Sequence, residues 1–210
     1  MIFYEFANGH KYKNAWWADG MGFEGSITCP KHTRPGNRKN PLTIKLESPR
    51  ISDIIWTWYS ECIVTERAAE FFSQAGFTGY RLEPVIVTEV KDGNVSELPK
   101  MWEFVVTGKG GSVEQINKIR VRDSCEDCGM VEYTSFGKGL NVDENQWDGS
   151  DFFTVWPLPK FIIVTERVKD FVTKNKISNV KLMKTQDLKG EGEKGRLGPG
   201  SYEKWLNDIR

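Results

Sequence analysis

Two stretches of this chain carry the same succession of apolar and polar positions. Residues 54–64 are aromatic and β-branched, the composition of one or two short strands. Ala68, Ala69, Phe71, Phe72 and Ala75 then recur at helical spacing and give one apolar face. From Tyr80 to Val87 the pattern returns to strand. The succession recurs as a strand over residues 161–164, an apolar helical face of Val168, Phe171 and Val172, and a closing strand over residues 180–183. Thr65 and Thr165 fit helix N-caps, whose hydroxyl accepts from a free N–H of the first turn. Glu66 suits the positive end of the helix dipole, and Gly76 suits the left-handed C′ position.

The shared pattern is also a shared sequence. Ile-Val-Thr-Glu-Arg occupies residues 63–67 and again 163–167, an offset of 100. Without a gap, Trp56 aligns with Trp156, Phe71 with Phe171 and Leu82 with Leu182, with Ile55/Val155, Glu70/Asp170, Ser73/Thr173 and Arg81/Lys181 as conservative pairs. This predicts one structural unit used twice, over about residues 50–88 and 150–185. Equivalent positions in a duplication fill equivalent slots, so Trp56 and Trp156 are expected in the core, as against a reading as exposed binding anchors.

The rest of the chain is rich in strands. Residues 1–24 are strand-like and aromatic, ending in Trp16-Trp17 and a glycine-rich turn, and residues 25–41 form a polar loop that something must hold in place. Between the repeats, residues 102–107 read as a strand, 108–111 as a turn, 119–122 as an alternating strand and 131–133 as another short strand. Pro157 and Pro159 argue against a central strand there. Residues 189–200 read as a mobile Gly/Lys/Glu linker, and residues 201–209 as a short helix docked by Trp205 and Leu206. The expected fold class is α+β: two related strand–helix–strand units with a central β region and a zinc-knuckle pair. A single domain spans 1–188, with a flexible tail over 189–210.

Composition narrows the function. Lys plus Arg equals Asp plus Glu at 29 each, whereas a nucleic-acid footprint needs a basic excess. No apolar run approaches the roughly 18 residues of a membrane span. The first residues lack the basic and apolar regions of a signal peptide, so a cytoplasmic location is expected. In a reducing compartment the four cysteines point to metal or redox chemistry more than to disulfides.

Cys125-x-x-Cys128-Gly129 has the form of a zinc knuckle: two thiolates three positions apart reach one tetrahedral ion, and the glycine permits the tight turn. A structural site wants four ligands, and Cys29-x-x-His32 has the matching spacing. Together they would form a Cys3His site that staples the N-terminal loop to the central sheet and leaves no open position for substrate. A redox pair at Cys125 and Cys128 would prefer a helix start, and a chance pairing without metal is the other alternative. Cys62 reads as a core thiol and His10 as a surface imidazole, although either could replace His32 as ligand.

The second half also contains Trp147-Asp148-Gly149-Ser150-Asp151-Phe152-Phe153, then Val155-Trp156-Pro157-Leu158-Pro159, then residues 161–167. With Cys125-x-x-Cys128-Gly129 and Pro49-Arg50-Ile51-Ser52-Asp53, this string resembles the bacterial double-CXXCG motif family, over roughly residues 25–185. Members of that family are regarded as immunity proteins of contact-dependent toxin systems. The resemblance implies a cytoplasmic protein that binds and blocks a cognate protein toxin. The chain departs from the family pattern at its first motif, where Cys29-Pro30-Lys31-His32-Thr33 stands for Cys-x-x-Cys-Gly. Histidine preserves the ligand chemistry, while the lost glycine changes the turn.

Other readings compete. Asp148, Ser150 and Asp151 invite a small hydrolase, but a serine nucleophile needs a base within reach, and aspartates flanking Gly-Ser are common turn residues. A zinc-ribbon adaptor or nucleic-acid binder is a further alternative, which neutral charge disfavours. Glu66-Arg67 and Glu166-Arg167 read as helix-start electrostatics and structural ion pairs before they read as a contact surface. A duplicated scaffold with no evident buried acid–base pair favours a non-enzymatic binding protein. Its specificity would reside in the charged loop over 31–39, the acidic turn over 143–151 or the tail.

Overall fold

The computed structural model describes the chain apart from residues 10–14, 23–28, 33–37, 39–40, 191–193, 196–199 and 208–210. His10 and most of the loop over 31–39 therefore lie outside the described residues. The first half contains β1 (Phe3–Asn8), β2 (Ala15–Trp17), β3 (Leu42–Leu46), β4 (Ile54–Trp56), β5 (Cys62–Thr65), α1 (Glu66–Gln74), β6 (Tyr80–Val90) and β7 (Met101–Val106). Then follow β8 (Gly108–Ser112), α2 (Glu114–Asn117), β9 (Val121–Cys125), β10 (Met130–Tyr133), β11 (Phe136–Lys138), β12 (Phe152–Trp156), β13 (Leu158–Thr165), α3 (Glu166–Lys174) and β14 (Val180–Lys184). The chain closes with β15 (Lys189–Gly190), β16 (Lys194–Gly195) and α4 (Tyr202–Asn207). This is a mixed α/β fold dominated by strands. None of the described helices is long and apolar enough to cross a membrane.

Two sheets carry the architecture, in the orders β2-β3-β6-β7-β5-β4 and β14-β1-β13-β12-β8. Their inner strands pair in the same way. In the first, Thr65 faces Met101, Val64 faces Trp102, and Leu82 faces Phe104. In the second, Thr165 faces Phe3, Val164 faces Tyr4, and Leu182 faces Phe6. The N-terminal strand Phe3-Tyr4-Glu5-Phe6 thus occupies beside α3 the place that Met101-Trp102-Glu103-Phe104 occupies beside α1. Each inner strand then sends the chain to the other sheet. β7 leads into β8, which pairs parallel with β12, and β1 leads into β2, whose Ala15 bridges parallel to Thr57 just beyond β4.

The register corrects part of the gapless alignment. Ile54 lies opposite Val64 and Trp56 opposite Cys62, whereas Phe152 lies opposite Val164, and Val155 pairs with Leu158 only after a shift. Positions before the hairpin therefore correspond at an offset of 98 (Ile54 with Phe152), and those after it at 100 (Val64 with Val164). Trp56 and Trp156 are both buried, as expected, but in different clusters. Pro157 and Pro159 also sit differently from expectation: β13 is a central strand that starts at Leu158. Its ladder with β1 begins at Ile163, so neither proline removes a needed donor there. Residues 108–111 form a strand where a turn was expected. A Cβ on Gly110 would come within 2.6 Å of the Phe153 ring, so the glycines permit β8 to lie close against β12.

The largest core draws on both sheets and both nine-residue helices. Phe152 is fully buried at its centre, with ring contacts to Phe6, Phe72, Phe77, Tyr80 and Phe104. A phenylalanine so buried contributes about 1.5–3 kcal/mol by removal from water. The helix starts expected at Thr65 and Thr165 are present, but neither hydroxyl caps its helix. Thr165 Oγ1 instead donates to Asp151 Oδ1 at 3.1 Å, and Thr65 Oγ1 is buried without a partner. Gly76 takes the left-handed conformation expected of it, at φ +63°.

A reciprocal polar clamp ties the halves together. Asp53 accepts from the Ser178 N–H at 2.8 Å and its hydroxyl at 2.7 Å, and Asp151 accepts from the Thr78 N–H at 3.1 Å and its hydroxyl at 3.3 Å. Arg67 donates to Asp53 at 2.5 Å and to the Asn175 carbonyl; Arg167 donates to Asp151 at 2.8 Å and to the Ala75 carbonyl. The recurring arginines thus serve structural ion pairs. Burial opposes ionisation of Asp53, but Arg67 and the Ser178 donors outweigh it and hold the carboxyl below its ordinary value.

A depressed folded-state pKa adds stability above the unfolded value of about 3.9, and that contribution disappears as pH falls through the folded-state pKa. Asp53→Asn is therefore expected to cost about 1–3 kcal/mol near pH 7 and to lower Tm by several degrees. In thermal melts across pH, the deficit should shrink toward pH 2–3; an equal deficit at both ends would contradict the clamp.

Candidate metal centre

Cys125 ends β9, Cys128 lies in the following turn, and Met130 opens β10 opposite Cys125. Gly129 makes the reversal possible at φ +67°, a conformation that costs glycine nothing sterically. The hairpin therefore presents both sulfurs from one tight turn, as the knuckle spacing implies. The second pair comes from an early turn, in which the His32 N–H donates to the Cys29 carbonyl at 3.3 Å.

The two turns converge. Cys29, His32, Cys125 and Cys128 each offer one ligand atom, and these atoms all lie within 4.8 Å of one another. Cys29 Sγ is 3.8 Å from Cys125 Sγ and 3.7 Å from His32 Nδ1, and Cys128 Sγ is 3.6 Å from the same nitrogen. His32 Nε2 points away from the cluster, 3.1 Å from Asp123 Oδ2. All three thiols are buried, together with Met130. Burial and the neighbouring sulfurs push the Cys128 thiol up to about 11, against the Met130 N–H. Burial also opposes ionisation of Cys29, but the N–H groups of Lys31 and His32 outweigh it and hold that thiol below its ordinary value. Crowded, buried sulfurs of this kind fit a cation that would compensate their charge.

The C-terminal segment packs against the hairpin. β16 pairs with β10, and β15 pairs with β11. A Cβ on Gly200 would meet the Cys125 carbonyl at 2.2 Å, and Lys204 pairs with Glu126 at 2.7 Å. Trp205 is buried, stacks on Tyr202 and donates to Thr154 Oγ1 at 3.1 Å, whereas Leu206 is exposed. The described parts of the expected free tail are thus paired or packed, and of the two expected docking residues only Trp205 docks. The signal for this was its indole, a side chain whose apolar area and N–H both favour burial beside an acceptor.

Other candidates fall elsewhere. Cys62 is a core thiol, as expected; burial first, and then Glu103, push its pKa far upward. Asp148 accepts from the Lys109 N–H at 2.7 Å and from Ser150 Oγ at 2.5 Å, while Asp151 belongs to the clamp. Asp148 and Ser150 thus brace a turn, and Asp151 joins the halves.

Sequence reasoning missed a buried acidic pair. Glu61 and Glu103 are each 6 % exposed. Glu61 accepts from Thr57 Oγ1 and from Trp17 Nε1, and Glu103 accepts from Arg38 at 2.5 Å with its second oxygen unpartnered. Burial raises the Glu103 carboxyl against the pull of Arg38. The only hint was a glutamate inside the apolar strand Met101-Trp102-Glu103-Phe104. The expectation of a scaffold with no buried acid–base pair did not foresee these two buried carboxyl groups.

Set against known proteins, the sequence matches no protein-family model and no curated protein.

Proposed function

We propose that this chain is a non-enzymatic binding protein, stapled by a structural zinc ion, that neutralises a cognate protein toxin in the cytoplasm. The observation that carries the metal reading is the convergence of Cys29, His32, Cys125 and Cys128. Zinc–sulfur bonds of about 2.3 Å and zinc–nitrogen bonds of about 2.0–2.1 Å, arranged tetrahedrally, imply sulfur–sulfur edges of about 3.8 Å and sulfur–nitrogen edges of about 3.6 Å. Three of the six separations, at 3.8, 3.7 and 3.6 Å, match such edges, and all six stay within 4.8 Å. Three thiolates select a soft or borderline cation over calcium or magnesium. Four protein ligands close the coordination shell, which suits a structural role.

The toxin-binding reading rests on the motif resemblance to double-CXXCG proteins and on the scaffold. The matched pairings around α1 and α3 support descent from one unit used twice, with its second copy completed by the N-terminal strand. Such an interlocked frame offers a rigid surface for recognition. Trp16 and Trp58 are exposed, with ring centroids 5.1 Å apart, and tryptophan is over-represented among interface hot spots.

Removing the metal should loosen the staple. Chelation, or Cys125→Ser, is expected to lower the melting temperature markedly, since metal-binding free energy is folding free energy. Protein kept reduced should carry one zinc per chain by elemental analysis. Unchanged melting after complete chelation would oppose the structural role.

Co-expression tests the toxin-binding reading. Growth arrest by a toxin encoded beside this gene should be relieved by the wild-type chain and less well by Trp16→Ala/Trp58→Ala. Arrest unrelieved for every neighbouring toxin would count against immunity.

A further inference from the structure

We infer that Asp123 is the positioning residue of the metal centre: it locks His32 into the tautomer that presents Nδ1, and no other nitrogen, to the ion. This rests on the metal reading above and specifies how the non-cysteine ligand works.

The ring can ligate through either nitrogen, and its surroundings choose. Nδ1 lies 3.7 Å from Cys29 Sγ and 3.6 Å from Cys128 Sγ, inside the ligand cluster. Nε2 lies on the far side of the ring, 3.1 Å from Asp123 Oδ2. For Nδ1 to offer its lone pair, the ring proton must sit on Nε2, where it donates to the carboxylate. That bond fixes ring orientation and makes Nδ1 a better donor, the role carboxylates play behind histidine ligands elsewhere.

The strand explains why this residue is the one placed there. Asp123 and Cys125 both lie in β9, two positions apart, so their side chains leave the same face of the strand. One face of a single strand thus supplies a thiolate to the ion and a carboxylate to the opposing ligand. His32 arrives from a turn more than ninety positions away, and Asp123 gives that turn a second, metal-independent attachment to the hairpin. The Asp123 side chain is 53 % exposed, so truncating it removes little packing. Glu126, in the same hairpin, is the natural control, because it pairs with Lys204 of α4 and not with the ring.

Zinc affinity should be measured by competition with a chromophoric chelator for the wild-type chain, D123A, D123N and E126A. Loss of a carboxylate behind a ligating histidine weakens binding about 10–100-fold, and D123A is expected in that range. D123N, whose amide oxygen still accepts the bond without the charge, should fall between D123A and wild type, and E126A should stay within about twofold of wild type. Imidazole nitrogen NMR of the zinc-loaded wild-type chain should show His32 protonated at Nε2 and metal-bound at Nδ1. Equal affinity of D123A and wild type, or ligation through Nε2, would overturn the role of Asp123 while leaving the metal centre intact. A wild-type chain that takes up no zinc would overturn both.

Discussion

Three buried sulfurs and an imidazole nitrogen meet within a few ångströms, drawn from two turns 96 positions apart in sequence, as counted from Cys29 to Cys125. Nothing in ordinary core packing asks for this. Burial first, and then the neighbouring sulfurs, make Cys128 resist losing its proton. A compensating cation would offset that cost and would attach the early turn to the β9–β10 hairpin. The hairpin in turn carries β16 and receives Gly200 against the Cys125 carbonyl. The early turn, the hairpin and the C-terminal helix would therefore share one anchorage.

Elsewhere the fold is held by exchange between halves. Asp53 reaches Ser178 and Asp151 reaches Thr78, while each helix-start arginine secures the aspartate on its own side and caps the end of the opposite helix. The aromatic core around Phe152 collects rings from both sheets. Neither half buries its apolar face without the other. Such a frame gives fixed positions to surface groups such as Trp16 and Trp58, as the proposed binding function requires.

Local patterns were legible in the sequence and long-range pairings were less so. The two helices, the left-handed exit of α1 at Gly76 and the strands on either side follow from apolar periodicity and glycine chemistry. The cluster of Cys29, His32, Cys125 and Cys128 followed from thiol and imidazole spacing, because only a few residue types can bind a metal and there are few of them in this chain. What escaped depended on contacts between remote segments. The two-residue difference in hairpin length, which moves Trp156 out of register with Trp56, is invisible where both flanks align without gaps. The pairing of β1 beside α3, which matches that of β7 beside α1, is equally hidden, because β1 precedes α3 in chain order whereas β7 follows α1. Gly108 and Gly110 resemble turn residues until Ser150 and the Phe152 carbonyl are placed against the first and Phe153 against the second. Thr65 and Thr165 have the right chemistry for caps, but Asp151 offers Thr165 a charged acceptor. Burial of Glu61 and Glu103 likewise depends on Arg38 and Trp17, which arrive from other parts of the chain.

The metal centre is the claim on which the most else rests, and X-ray absorption at the zinc edge addresses it directly. Protein purified reduced, without chelator, should show a first shell of three sulfurs at about 2.3 Å and one nitrogen at about 2.0–2.1 Å, with the outer-shell pattern of a single imidazole. A shell of oxygen and nitrogen alone, or a sulfur count unchanged when Cys29 is replaced by serine, would contradict it.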